Sequence, residues 1–195
     1  ATAKGRHIRR AGLDFSTGDL ILPAGRVLDA TALSFAASAN HPTLPVVRKP
    51  LVAILATGSE LVEPGSQPDD DQIIASNNVG VASLVRDAGG RELDLGIIPD
   101  DREVLANAVT SALDQGADII VTLGGASVGD HDLVREVLGA QGMALDFWKI
   151  CMRPGKPLIS GRLGATRVLG LPGNPVSSLV CSHLFLVPLV ARLAG

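Results

Sequence analysis

Three loops in the second half of the chain contain residue types suited to binding an anion. Gly124-Gly125-Ala126-Ser127 and Leu171-Pro172-Gly173-Asn174-Pro175 contain glycines, which let a backbone approach a ligand closely and offer its N–H groups. Met152-Arg153-Pro154-Gly155-Lys156-Pro157 holds two cations on a chain stiffened by two prolines, a pattern typical of a phosphate or other oxyanion site. Every charged residue after Asp146 is Lys or Arg. We therefore expect an excess of positive charge in this region.

Acidic residues in neighbouring loops could bind a cation beside that anion site. They are Glu60, Asp100, Asp130 and Asp132. Carboxylates that converge beside a phosphate suit a hard cation such as Mg²⁺. Each residue also has a structural interpretation, because Glu60 and Asp100 belong to segments with the spacing of a capping box, and Asp130 and Asp132 suit the start of a helix. The residues alone leave both interpretations open.

Two further side chains have open roles. His131 is a candidate acid or base, or a surface loop residue. Trp148, the single tryptophan, is either a packing residue or, beside Lys149 at a strand end, the floor for a flat ligand. Neither side chain by itself favours one role.

The elements between these loops predict an α/β domain with a largely parallel sheet. From residue 51 onward, β-rich runs alternate with stretches of helical period, which is typical of that fold class. The predicted strands are 51–56, 92–97, 118–123, 145–150 and 167–171. The predicted helices are 81–88, 104–113, 133–138 and 174–192, the last starting at Asn174-Pro175 and kinked or broken at Pro188. Ligands of such sheets bind beyond the carboxyl ends of the strands, where these loops lie.

The first fifty residues differ from this pattern. Residues 18–25 predict a strand entering a turn, and residues 32–39 predict a short helix. Closely spaced prolines in residues 40–50 predict an extended linker. We therefore expect a partial β/α segment with its linker in residues 1–49 and the main domain in residues 50–195.

Composition argues against several classes of protein. The 195 residues are 46% hydrophobic and 19% charged, as in folded proteins rather than disordered ones. A net charge of −3, 3% aromatic residues and no tyrosine argue against a nucleic-acid partner. The apolar stretch 179–191 is interrupted and shorter than the roughly 20 residues that span a bilayer, so no membrane partner is expected. Cys151 and Cys181 lack metal or disulfide spacing and no export leader is present, which favours a cytoplasmic protein.

Taken in order, the motifs resemble those of a known family. Besides the three loops, the matching motifs are Thr57-Gly58-Ser59-Glu60-Leu61 and Phe147-Trp148-Lys149. Further matching motifs near the start of the chain are Ile8-Arg9-Arg10, Leu13-Asp14-Phe15 and Leu22-Pro23-Ala24-Gly25. Together they resemble the molybdopterin molybdenumtransferases of the MoeA and gephyrin E-domain type over essentially the whole chain. The resemblance implies a three-layer αβα molybdopterin-binding domain. It also implies an enzyme of molybdenum-cofactor biosynthesis that inserts molybdenum from molybdate into adenylylated molybdopterin, with magnesium-assisted release of AMP.

The resemblance further implies roles for single residues. The implied catalytic residues are Glu60, Asp100, Asp132, Lys149 and Lys156. The implied cofactor-binding residues are Gly124, Gly125, Ser127, Gly129, Arg153, Pro172, Gly173, Asn174 and Ser177. The implied magnesium ligands are Glu60, Asp100, Asp130 and Asp132, with Asp14 as an acid from the preceding segment. Members of the family are homodimers, so we expect a homodimer.

Some positions depart from the family pattern. Ser59 and Ala75 stand where the family usually has Asp, His7 where it has Asn, and Arg153 where it has Lys. An Arg is not equivalent to a Lys, because its planar fork binds an oxyanion at two points. The family's long N-terminal region and its C-terminal β domain are not among these 195 residues. Two other functions therefore stay open: a non-catalytic molybdopterin-binding module or fragment, and the related molybdopterin adenylyltransferase.

Overall fold

Two units make up the chain in the computed structural model, which describes residues 3–125 and 132–195. One unit comprises the residues up to Val47 together with Gly195, and the other comprises Arg48–Ala194. The larger unit contains the sheet and every candidate site residue except Asp14. Each unit is described below by itself.

Apolar runs form the strands and amphipathic stretches form the helices. The described strands are β1 (Leu51–Thr57), β2 (Leu61–Val62), β3 (Ile73–Ile74), β4 (Arg91–Ile98), β5 (Ile119–Leu123), β6 (Ala144–Trp148), β7 (Ile159–Leu163) and β8 (Thr166–Leu171). The described helices are α1 (Ala30–Ser38), α2 (Asn77–Asp87), α3 (Arg102–Asp114), α4 (Leu133–Ala140), α5 (Pro175–Cys181) and α6 (Val187–Leu193). A π-helical turn, Ser182–Leu186, joins α5 to α6.

Six of these strands form one sheet in the order β4-β1-β5-β8-β7-β6. Strands β4, β1, β5 and β8 are parallel to one another. Strand β7 is antiparallel to both of its neighbours, β8 and β6. The predicted α/β class with a mostly parallel sheet is confirmed, but β7 was missed. It is joined to β8 through Gly164 and Ala165, and Gly164 has a φ of 58°, the positive value that a two-residue hairpin turn favours. Because two antiparallel pairings separate them, β6 runs in the same direction as β8.

Helices cover both faces of the sheet and make three layers. In β1, Val52, Ile54 and Ala56 contact one hydrophobic cluster, whereas Ala53 and Leu55 contact the other. Successive side chains of a strand point to opposite faces, so the clusters lie on the two sides. Helices α2, α5 and α6 belong to the first cluster, and α3 and α4 to the second. Each fully buried Leu, Ile or Val contributes about 1.5–3 kcal/mol relative to its exposed state.

The C-terminal helical run covers nearly the residues that the sequence predicted. Residues 175–193 form a continuous run of 19 residues with a mean hydropathy of 1.7. By length and composition it could cross a bilayer, and 28% of it is buried. Cys181, Leu186 and Val190 pack into the first cluster, so one face of the run belongs to the core. A single such helix is weak evidence for a membrane span. The predicted break at Pro188 is wrong in position, because the π-helical turn ends before it.

Within the first unit, the predicted helix is present and the predicted strand is not. Helix α1 begins after Asp29, whose carboxylate accepts a hydrogen bond of 2.7 Å from the N–H of Ala32. Residues 18–25 form no strand. Gly18 and Gly25 both have positive φ, a backbone conformation outside the strand region, at the two ends of the segment.

The first unit also has an aromatic contact and an ion pair. The rings of Phe15 and Phe35 meet edge to face with centroids 5.4 Å apart. The carboxylate of Asp14, implied by the resemblance as a site acid, pairs with Arg9. A cavity of about 620 Å³ lies within this unit and includes Phe15 and His41 in its lining.

Asp118 ties together the amino ends of the central strands. Its carboxylate accepts hydrogen bonds from the guanidinium of Arg48 at 2.7 and 2.6 Å and from the N–H of Leu51 at 2.7 Å. The N–H of Asp118 donates to the carbonyl of Leu51 at 2.8 Å, and the carbonyl of Asp118 accepts from the N–H of Arg167 at 2.9 Å. The hydrogen bond from Arg48 holds the pKa of Asp118 below its usual value, although partial burial opposes this. A carboxyl with a lowered pKa stabilises the fold while it is ionised.

We expect Asp118→Asn to lose about 1–2 kcal/mol of unfolding free energy at pH 7, because it weakens charge-assisted hydrogen bonds. The loss should shrink as pH falls below about 4, because the wild-type carboxyl is then protonated as well. Urea unfolding at pH 7 and pH 3 measures both values. Asp70→Asn, in an exposed loop, is the control, and an equal loss at both pH values would contradict this role.

Candidate functional site

A cleft of about 530 Å³ lies at the carboxyl ends of β1, β5 and β8. Its lining comes from four segments of the larger unit: Ala56, Thr57, Glu60 and Leu61; Ile73 to Asn78; Leu123 to Gly125; and Gly173 to Pro175. This is the edge at which ligands of parallel sheets bind. Several of the residues implied by the resemblance meet here, namely Glu60, Gly124, Gly125, Gly173 and Asn174.

Three glycines bring backbone to the floor of the cleft. A Cβ on Gly124 would lie 2.7 Å from the carbonyl oxygen of Thr57, and one on Gly125 would overlap the side chain of Val134. Both glycines have positive φ, 91° and 67°. Gly173 lies against Gly124, since a Cβ added to Gly173 would be 3.4 Å from the Cα of Gly124. Larger residues at 124 and 125 would have to push these segments apart.

Two buried polar atoms in the lining have no hydrogen-bond partner among the described residues. They are the hydroxyl of Thr57, a residue 5% exposed, and Oδ1 of Asn78, a residue 7% exposed. The amide nitrogen of Asn78 donates to Asp94 at 3.3 Å, which leaves its oxygen as an acceptor. Buried polar atoms are nearly always paired. Both atoms have almost no exposed surface, so they lie beneath the lining and are not open to the cleft.

The walls of the cleft are held by side chains at helix starts. Nδ2 of Asn77, in the first turn of α2, donates to the carbonyl of Gly173 at 2.8 Å. Asn174 caps α5, accepting from the N–H of Ser177 at 3.2 Å, with Pro175 in the first turn. The predicted helix start at Asn174 is confirmed. Pro172 is buried after β8, and Ser177 is half-buried in the capped turn.

The acids occupy different environments. The carboxylate of Asp100 accepts from the N–H of Ser59 at 3.3 Å, and the N–H of Asp100 donates to the hydroxyl of Ser59 at 3.1 Å. These two bonds tie the loop after β1 to the loop after β4. Glu60 is exposed at the cleft. Neither acid belongs to a capping box, so both of those interpretations are wrong. Glu60 precedes strand β2 and not a helix, and the N-cap of α3 is Asp101, not Asp100.

Asp132 caps α4 and is almost completely buried. One carboxylate oxygen accepts from the N–H of Arg135 at 2.9 Å, and the other has no partner among the described residues. Burial raises the pKa of this carboxyl, although the hydrogen bond and charge of Arg135 oppose the shift. No group of three or more His, Cys, Asp or Glu side chains within residues 3–125 and 132–195 could hold a metal ion. Ser127, Gly129, Asp130 and His131 lie outside the described residues.

The basic loop after β6 is closed by backbone hydrogen bonds. The N–H of Lys149 donates to Leu158, and the N–H groups of Ile150 and Leu158 donate to Lys156, all at 3.0 Å. Lys149 itself has a φ of 64°, which reverses the chain. Beneath the loop, the buried thiol of Cys181 donates to the carbonyl of Gly155 at 4.0 Å. Arg153 and Lys156 are exposed on this closed loop.

Sequence reasoning missed three residues of the site region. Asn77 and Asn78 line the cleft, and Arg135 lies with Cζ 4.0 Å from the ring centroid of Trp148. The run Ser76-Asn77-Asn78 before an apolar helix was the available signal for the first two. Arg135 has no such signal, because its contact joins α4 to a strand that follows it in the chain.

Replacing Gly125 by Ala tests the close packing under the cleft. We expect Gly125→Ala to lose about 1–3 kcal/mol more than Gly142→Ala, because Val134 and Thr57 must shift as in an overpacked core. Gly142 has a similar positive φ but open space around an added Cβ, so it measures backbone strain alone, about 1–2 kcal/mol. Urea unfolding gives both values. Equal losses would show that the contact with Thr57 and Val134 is loose.

Comparison with known proteins identifies the family of the chain. The profile described as the probable molybdopterin binding domain matches residues 53–192. The chain is 38% identical over 190 residues to the molybdopterin molybdenumtransferase of Haemophilus influenzae, covering 97% of this chain and 46% of that protein. It is 35% identical over 196 residues to molybdopterin molybdenumtransferase 2 of Mycobacterium tuberculosis, covering 98% and 48%.

Solved structures show the same relationship. The crystal structure of the molybdopterin biosynthesis MoeA protein of Pyrococcus horikoshii superposes with a TM-score of 0.82 at 32% identity, over 94% of this chain and 45% of that one. The molybdopterin biosynthesis enzyme MoaB of a Thermus species, at 19% identity and a TM-score of 0.54, shares the fold alone. The chain spans about half the length of the curated relatives it matches. It belongs to the family of probable molybdopterin binding domains.

Proposed function

We propose that the cleft at the carboxyl edge of the sheet binds molybdopterin, free or adenylylated, in molybdenum-cofactor biosynthesis. The observation that carries the proposal is the glycine backbone of the cleft, where Gly124, Gly125 and Gly173 meet at the carboxyl edge of the sheet. A pterin is flat and carries donors and acceptors along its edge. Such a ring can lie close to Gly124, Gly125 and Gly173, because none of them carries a side chain.

The basic loop supplies the charge for the anionic parts of the ligand. Arg153 and Lys156 stand on a loop whose ends are fixed by the backbone bonds of Lys149 and Leu158. A fixed loop loses little freedom when it binds, so its charges act with less entropic cost. We assign the binding of phosphate or molybdate to Arg153 and Lys156, with Lys149 and Ser177 as further contacts of the anion.

The complete reaction is a proposal for the whole protein. The two thiol sulfurs of adenylylated molybdopterin bind the molybdenum of molybdate, and one molybdate oxygen leaves as water with the two thiol protons. A separate water attacks the bond between the two phosphates and releases AMP. Among the acids, Glu60 is the exposed carboxylate at the cleft, so we assign it the role of accepting a proton from the attacking water. Asp100 positions Ser59, and Asp132 fixes the start of α4.

Magnesium is not supported by the described carboxylates. Glu60, Asp100 and Asp132 belong to no metal-binding group within the described ranges, Asp100 is bonded to Ser59, and Asp132 is buried. The assignment of Mg²⁺ to these residues together with Asp130 stays a prediction.

A non-catalytic binding module is the second candidate function. The chain spans about half of each relative, so a binding module or fragment stays open as an alternative to the complete enzyme. The adenylyltransferase alternative gains no support, since the similarity to MoaB shows only the fold. A homodimer, a cytoplasmic location and the absence of nucleic-acid or membrane partners also stay predictions.

Lys156→Ala should weaken binding of molybdate or tungstate by about 1.5–3 kcal/mol, the contribution of a charge-assisted contact. Isothermal titration calorimetry or equilibrium dialysis measures the dissociation constant. Lys49→Ala, at the opposite edge of the sheet just before β1, is the matched control. Equal affinities for Lys156→Ala and wild type would remove Lys156 from the anion site.

The 195 residues by themselves should bind molybdopterin but insert molybdenum slowly. Binding needs the cleft and basic loop, which both lie in the larger unit. Insertion needs molybdate held in line with the dithiolene sulfurs, and the 195 residues correspond to about half of each relative. If molybdate is misplaced by about 1 Å from the sulfurs, the rate can fall roughly a hundredfold.

The assay mixes the chain with adenylylated molybdopterin, magnesium and molybdate, and measures reconstitution of a molybdenum-free apoenzyme. The full-length Haemophilus influenzae relative is the positive control. Turnover equal to that control would show that the described units suffice. Absence of any molybdopterin binding would contradict the proposed function.

A further inference from the structure

Helix α2 begins beside the cleft without a capping side chain. Ser76 stands at its N-cap, and its hydroxyl makes no capping hydrogen bond to any described residue. The bond from the N–H of Gly80 to the carbonyl of Ser76 is long, at 3.5 Å. Helices α1, α3, α4 and α5 each begin with an Asp or Asn side chain that accepts from the first turn. A helix start that lacks such a cap needs other contacts to fix its position.

Two consecutive asparagines in the first turn of α2 supply such contacts. Nδ2 of Asn77 donates to the carbonyl of Gly173, in the loop after β8, at 2.8 Å. Nδ2 of Asn78 donates to Oδ1 of Asp94, in strand β4, at 3.3 Å. Asn78 is 7% exposed, so its side chain is enclosed by its neighbours. The start of α2 is therefore bonded on two sides, and Asp94 is the acceptor on one of them.

Asp94 is the single charged residue in the apolar part of β4, residues 93–98. Leu93 and Leu95 pack against the second hydrophobic cluster, and Asp94 between them faces the side of the sheet that α2 covers. Oδ1 of Asp94 also accepts from the N–H of Gly96 at 2.9 Å. Gly96 has a φ of 73° and lies where the register of β4 against β1 shifts, as in a β-bulge. One oxygen atom thus holds both the bulge and the side chain of Asn78.

We propose that Asp94 is a positioning residue of the cleft. Asp94 lies outside the residues that line the cleft, and it acts through Asn78, which fixes the start of α2 so that Asn77 reaches Gly173. Gly173 in turn lies against Gly124, so the spacing of the loops around a ligand depends on this chain of contacts. That the ligand is molybdopterin rests on the proposed function. The effect of Asp94 on Gly173 does not, because it exists in the ligand-free protein.

The carbonyl ¹³C chemical shift of Gly173 reports its hydrogen bond from Asn77, and Asn77→Ala gives the value for complete loss of that bond. Asp94→Ala should move the Gly173 signal of the ligand-free protein toward that value. It should also raise the dissociation constant for molybdopterin about two- to tenfold, as expected for a lost hydrogen bond. Asp94→Asn should match wild type in both measurements, because an amide oxygen can accept the same two bonds.

Glu92→Ala is the matched control on the same strand. Glu92 accepts a hydrogen bond of 2.5 Å from Arg86, which lies in the last turn of α2. The variant therefore also loses a bond between β4 and α2, but at the end of the helix that is remote from the cleft. Both the Gly173 signal and the affinity for molybdopterin should keep their wild-type values.

Asn78→Ala separates the role of Asp94 through α2 from its role at the bulge. It removes the donor but leaves the bond from Gly96 to Asp94, and it should shift the Gly173 signal as Asp94→Ala does. Adding Asp94→Ala to Asn78→Ala should then shift the signal no further, because both changes break the same contact. If Asp94→Ala fails to fold, Asn78→Ala carries the comparison.

Two results would overturn the positioning role of Asp94. One is a Gly173 signal that stays at its wild-type value in Asp94→Ala or Asn78→Ala, and the other is a Gly173 signal that moves in Asp94→Asn. The expected Gly173 shifts together with a wild-type protein that does not bind molybdopterin would instead overturn the proposed function and leave the role of Asp94 standing.

Discussion

The backbone of Gly124 and Gly125 lies directly on Thr57, and the other features of the cleft depend on this contact. A side chain at either glycine would have to displace Thr57 or Val134. Because no side chain intervenes, the loops after β1 and β5 meet, and Gly173 can approach Gly124. The same closeness excludes other protein groups from the Thr57 hydroxyl. A floor of backbone and an unpartnered hydroxyl therefore have one cause.

Patterns within single elements were predictable from the sequence. The continuous apolar runs of β1 and β5 are buried along their whole length, as central parallel strands require. Asn174 and Pro175 signalled a helix start, which the structure contains. The loops with chemical signals follow these strands. Local periodicity and capping chemistry thus located the carboxyl edge of the sheet and the walls of the cleft.

Features set by tertiary contacts were not predictable. The segment 18–25 contains an apolar run typical of a strand, yet it forms none. Asp100 has the spacing of a cap, yet its carboxylate bonds Ser59 in another loop. Arg135 meets Trp148 only because α4 packs beside the end of β6. In each case the deciding neighbour is distant in the chain, so no local rule can identify it.

The account depends on where molybdopterin contacts the chain, and backbone NMR measures this directly. An anaerobic titration of ¹⁵N-labelled protein with molybdopterin should give saturable shifts at the amides of Thr57, Asn78, Gly124 and Gly173. Amides at the opposite edge of the sheet, such as those of Leu51 and Asp118, should remain unchanged. Saturable shifts confined to that edge or to the first unit would contradict the account, because the ligand would then bind away from the cleft.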